Sequence, residues 1–124
     1  MIQLILHLFG DYVTQSHWMA QNKTKAFWPA WIHSFIYSVP FYFVASVNAW
    51  LVILVTHFFI DRYRLARYVV YAKNCLSPKP PAWSDCSGTG YPSDVPAWLA
   101  VWLLIAADNT LHLMINYFAI RIFG

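Results

Sequence analysis

From Phe27 to Ile60 the chain runs for 34 residues without one Asp, Glu, Lys or Arg. A helix needs about 20 apolar residues to cross a bilayer, so the run holds two crossings and a break between them. Ser46-Val47-Asn48 supplies the break, with Asn48 placed to cap the helix that follows. Helices are predicted over about 27–46 and about 49–73, with Pro40 kinking the first. Two further stretches, about 1–16 and about 96–122, complete the expected fold. It is an all-α, four-helix transmembrane bundle forming one membrane-embedded domain over residues 1–124.

Composition supports a bilayer as the solvent. The chain is 60% hydrophobic and 10% charged, and it has no glutamate, too little charge to cover a soluble domain of this size. An aromatic content of 19% suits interfacial belts of Trp and Tyr. The net charge of +3 comes from eight dispersed Lys and Arg with no polybasic run. The partner implied is therefore membrane lipid, and nucleic acid is excluded. The opening MIQLILHLFGDYVTQ lacks a basic leader and a small-residue cleavage site, so it reads as the first helix and not as a secretory signal.

Residues 17–26 form a polar connection, and residues 61–73 an amphipathic extension in which Arg62, Arg64 and Arg67 alternate with apolar side chains. Residues 74–95, rich in Pro, Ser and Gly, form one long loop, expected as a lid over the bundle mouth. Pro96 suits the first turn of the last helix. Four crossings put Lys23, Lys25, Arg62, Arg64, Arg67, Lys73 and Lys79 on one side and Arg121 alone on the other. That imbalance places the long loop in the cytoplasm and both termini outside, in the bacterial inner membrane. Cys75 and Cys86 then face a reducing compartment and are expected as free thiols.

Three His/Asp pairs stand four residues apart in this apolar sequence: His7/Asp11, His57/Asp61 and, in reverse order, Asp108/His112. That spacing stacks each pair on one helix face. Because the last helix runs outward, all three aspartates fall on the cytoplasmic side of their histidines, and His33 lies at a similar depth in the second helix. An aspartate at mid-membrane costs about 2.5–3.5 kcal/mol, so three cost roughly 8–10 kcal/mol that something must offset. Divalent cations would offset it and relieve the repulsion among the carboxylates.

His7, Asp11, His33, His57, Asp61, Asp108 and His112 are accordingly the expected metal ligands. Seven donors fit two ions with a bridging aspartate, and imidazole with carboxylate suits zinc or manganese over magnesium or calcium. Gln15 and Asn116 continue two of the stripes and are placed to orient ligands. Lys23, Lys25, Arg62 and Arg64 gather on the aspartate side, where a phosphate head group would bind. His17, in the polar connection, reads as a solvated residue. The aromatic clusters around 27–31, 41–43 and 98–102 read as lipid-facing.

The segments HLFGDYVTQ, NKTK, HFFIDRYRLARY and ADNTLHLMINY, with His33, resemble a family of small phage and bacterial integral membrane proteins of unknown function. More distantly, the H-x-x-x-D pairs are similar to those of membrane-bound metal-dependent hydrolases and of the helical zinc phospholipase C and nuclease group. The latter likeness implies phosphoester cleavage at a metal cluster carried on helices.

The expected function is metal-dependent hydrolysis of a phosphoester on a lipid or lipid-linked molecule, with Asp61 or Asp108 taking the proton. A metal-ion or proton carrier or channel is the alternative, since polar pairs at mid-membrane suit it equally. A phage accessory membrane protein without catalysis is a third. Four helices make a thin bundle, for which association into a homodimer or larger ring is a natural completion.

Overall fold

A computed structural model describes residues 1–124, all helix and connection with no strand. The elements are α1 (Ile2–Leu8), α2 (His17–Asn22), α3 (Phe27–Tyr42), α4 (Val47–Tyr63), α5 (Ala66–Asn74), α6 (Trp83–Cys86) and α7 (Ala97–Phe123). A π-helical turn, Phe9–Val13, continues α1. The chain divides into two compact units, Met1–Tyr63 with His112–Gly124, and Arg64–Leu111.

In the first unit α3 and α4 form a helical hairpin across a short connection. Ser46 closes it: its Oγ accepts from Ala49 N at 3.1 Å, so the cap predicted for Asn48 belongs to Ser46. The antiparallel register pairs Ser38 with Trp50, whose Nε1 donates to Ser38 Oγ at 3.2 Å, and His33 with His57 two turns further along. Tyr37, Phe41, Ile53 and Ala119 make the buried core, with Leu6, Trp50, Val52 and Ile120 packed around it. The core thus draws on α1, α3, α4 and the last part of α7.

The fold is all-helical as expected, without four helices of membrane-crossing length. Only α7, at 27 residues, is long and apolar enough to cross a membrane. Its length of about 40 Å exceeds a hydrocarbon core of about 30 Å. The uncharged run is instead cut into α3 and α4, of 16 and 17 residues, about 25 Å each. Helix α3 passes through Pro40 and stops two residues later, four short of its predicted end. The predicted 1–16 helix ends with the π-turn, and the polar connection contains α2, capped by Ser16 Oγ accepting from Met19 N.

The helix predicted over 49–73 is two helices. Arg64 interrupts it with φ +53°, a left-handed conformation unusual for a side-chain-bearing residue.

The second unit is built on α5. Tyr68 stacks on Trp83 with ring centroids 5.0 Å apart, and Tyr71 meets the same indole edge-on. Arg67 donates to the Ser87 carbonyl at 2.9 Å and Asn74 to the Gly90 carbonyl at 2.8 Å. Gly90 has φ +88°, and a Cβ there would strike the backbone of Arg67 and Tyr71. The loop predicted over 74–95 is thereby fastened to α5 and carries the one-turn helix α6.

Candidate metal centre

The π-turn fixes the position of Asp11. An added residue in a helical turn changes the phase of the face, and such insertions recur at functional sites. Thr14 Oγ1 donates to the Gly10 carbonyl at 2.8 Å within this turn. Gly10 lies directly against the Tyr37 ring, where a Cβ would collide with it. Asp11 and His7 are both buried as a result. Helix α3 supplies His33, and α4 supplies His57 and Asp61 one turn apart; all three are buried.

Four donor atoms converge. His33 Nε2 lies 3.2 Å from Asp11 Oδ1 and 3.1 Å from Asp61 Oδ2. His57 Nε2 lies 3.5 Å from Asp11 Oδ1 and 3.2 Å from Asp61 Oδ2. The two Nε2 atoms are 3.0 Å apart. A regular tetrahedron with edges of about 3.2 Å has its centre about 2.0 Å from each corner, the length of a Zn–N or Zn–O bond.

Asp11 Oδ1 is buried and accepts no hydrogen bond despite these neighbours, and the two imidazoles direct Nε2 at one another across the same point. An unsatisfied buried acceptor costs about 1–3 kcal/mol, more when charged. The cluster Asp11, His33, His57 and Asp61 could hold a metal ion, which would satisfy all four atoms at once.

Around these donors stand further polar groups, among them His112, an expected ligand that remains a candidate. His112 Nε2 donates to Asp61 Oδ1 at 3.1 Å, so the two oxygens of Asp61 serve different neighbours. Lys23 Nζ donates to Asp61 Oδ2 at 2.7 Å; its side chain is 19% exposed against 3% for Asp61. Lys23 was expected to meet substrate, and here its ammonium is paired with a candidate ligand. Arg62 donates to the Thr24 carbonyl at 2.8 Å, fastening the connection that carries Lys23. Lys25 is exposed on that connection. Arg64 belongs to the second unit, where it donates to the Gly88 carbonyl.

His7, also predicted as a ligand, lies next to the four donors. Its Nδ1 is 2.8 Å from Tyr37 Oη and 3.6 Å from Asp11 Oδ2, beside the carboxylate but outside the four-donor set. Asp108 lies half-buried on α7 in the second unit, one turn before His112. Asn116 is buried and donates to Tyr37 Oη at 2.7 Å, so it supports the centre through the tyrosine. His17 is exposed, as expected.

Tyr37 is the residue that sequence reasoning missed. Its ring stacks on His57 with centroids 3.6 Å apart and planes 15° apart, and its hydroxyl joins His7 and Asn116. The available signal was its place four residues after His33, on the same face of α3.

The family described as "Protein of unknown function (DUF3307)" matches residues 1–79. The chain belongs to this family. Asp11, Lys23, His33, Tyr37, His57 and Asp61 all fall inside the part matched to DUF3307, while Asp108, His112 and Asn116 fall beyond it. No curated protein and no solved structure matches the chain.

Proposed function

We propose that this chain is a membrane-associated, metal-dependent hydrolase acting on a phosphoester of a lipid or lipid-linked molecule. One observation carries the reading: five donor-to-donor distances of 3.0–3.5 Å among Asp11, His33, His57 and Asp61. Two imidazoles and two carboxylates suit zinc or manganese better than magnesium or calcium. An ion bound there supplies Lewis acidity toward a phosphoryl oxygen and acidifies a water.

The chain's own residues do the rest. His112 holds Asp61 by its second oxygen, so the carboxylate keeps one orientation. Tyr37 holds the plane of His57 by stacking. Lys23, the most exposed member of the group, stands where an anionic head group would arrive. Both oxygens of Asp61 are engaged, one by His112 and the other by Lys23 and the ligand set, so of the two carboxylates read as proton acceptors the role falls to Asp108, on its spacing from His112.

Lipid as the substrate's setting follows from the surface. Trp28, Phe43 and Ile122 in the first unit, and Trp98 and Trp102 in the second, are each more than 60% exposed, apolar area of the kind that acyl chains cover. Helix α7 is the element long enough to cross the bilayer.

A carrier reading is favoured by one observation. Asn116, Tyr37 and His7 form a buried hydrogen-bonded row beside Asp11, a path along which a proton can pass.

Two measurements separate these readings. Protein purified without a histidine tag is expected to carry one or two zinc or manganese ions per chain and to release phosphate or head group from defined lipids. Asp61→Asn and His57→Ala are expected to lose both while still inserting. Ion uptake into proteoliposomes without hydrolysis selects the carrier, and full activity in a metal-free double variant refutes the metal mechanism.

A further inference from the structure

We infer that Asp11 is the exchangeable member of the donor set, leaving the ion to open a position for a phosphoryl oxygen or a water while His33, His57 and Asp61 stay bound. The inference rests on metal binding at these four residues and deepens the hydrolase reading. Four protein donors close a tetrahedral site, as in structural zinc centres, whereas a catalytic ion keeps three and leaves the fourth position open. With both histidines and Asp61 at most 5% exposed, a substrate atom gains that position only where a donor gives way.

Three of the donors share one piece of structure. His33 on α3 and His57 and Asp61 on α4 belong to the hairpin that Ser46 closes and that the Trp50–Ser38 hydrogen bond keeps in register. Asp61 is held further by His112, which donates to its other oxygen at 3.1 Å. Asp11 comes from outside the hairpin, on the π-turn after α1.

Asp11 is also the outlying donor. Its side chain is 10% exposed, against 3% for Asp61 and 1% for each histidine. The longest edge of the set, 3.5 Å, runs from its Oδ1 to His57 Nε2.

Its turn supplies the movement. Thr14 N donates to the Phe9 carbonyl at 3.0 Å, five residues back, so the turn holds one residue more than an α-turn. One residue is about 100° of helix, and relaxing the turn to the α register swings Asp11 away from the donors without shifting the hairpin. The bond from Asp11 Oδ1 to the ion breaks as the bond from the entering oxygen forms, and the carboxylate keeps its electron pair.

Cobalt-loaded full-length protein in detergent micelles tests the proposal, with cobalt content measured first and azide as the probe of the opened position. Where Asp11 closes the position in nine molecules of ten or more, apparent azide affinity is lowered about tenfold or more. Asp11→Ala and the closer-shaped Asp11→Asn are therefore expected to keep the wild-type cobalt content at saturation and to bind azide tenfold or more tightly than wild type, read from the visible absorption of cobalt. Asp61→Ala is expected to lose the cobalt.

Loss of cobalt from Asp11→Asn as complete as from Asp61→Ala overturns the inference, since Asp11 is then a permanent ligand. Equal azide affinity in wild type and Asp11→Asn overturns it as well, because an Asp11 that only shapes the fold leaves that affinity alone. In both cases wild type still takes up cobalt and the metal reading stands. Failure of wild type to take up cobalt brings down the metal reading itself, and the first measurement tells that case apart.

Discussion

Asp61 is where the candidate centre is most concentrated, since Lys23, His33, His57 and His112 all reach its two oxygens within 3.2 Å. Removing one charge there leaves three imidazoles and an ammonium without their shared counter-ion, which is why Asp61→Asn is expected to lose the ion outright. Tyr37 acts more gently. Tyr37→Phe keeps the stack on His57 and deletes the hydrogen bonds to His7 and Asn116, so it is expected to destabilise the first unit by about 1–3 kcal/mol in chemical denaturation, with metal content retained. An unchanged midpoint would show that the hydroxyl contributes nothing to the core. Four-residue spacing made His57 and Asp61 legible in the sequence, because one helical turn fixes their shared face. Tyr37 was not legible, because an aromatic residue in an apolar helix looks the same whether it faces lipid or a histidine.

At the scale of elements, the features that shape the site are the ones that local sequence signals do not announce. Neither the π-turn at Phe9–Val13 nor the break at Arg64 is marked by proline, and Arg64 has no glycine to ease its positive φ. Both depend on packing and on tertiary hydrogen bonds such as that from Arg64 to Gly88. The α3–α4 break was legible in position, because Ser46 lies at the centre of an uncharged run too long for one helix. Gly10 tests the π-turn. A Cβ at Gly10 meets the Tyr37 ring, and pushing that ring disturbs the stack that orients His57. Gly10→Ala is therefore expected to cost about 1–3 kcal/mol and to weaken metal binding, measured by thermal denaturation and by competition with a chelator. Wild-type values for both would mean that the turn holds Asp11 without help from the close approach.

At the scale of the whole molecule, charge asymmetry and exposed apolar surface bear on placement, and the two thiols give a probe of it. Cys75 is half-buried and Cys86 fully buried, both reduced, in the segment expected to be cytoplasmic. Burial, together with the negative charge of Asp85, pushes the Cys86 thiol up from its ordinary range, so less of it is thiolate at neutral pH and its reaction with a maleimide is slower. A membrane-impermeant maleimide applied to intact cells is therefore expected to leave both cysteines unmodified. Applied to inverted vesicles, it is expected to label Cys75 within minutes, with Cys86 following only after denaturation. The Cys75→Ser variant separates the two signals by mass. Labelling of Cys75 from outside the cell would reverse the orientation drawn from seven basic residues against one, and with it the side from which a head group reaches Lys23.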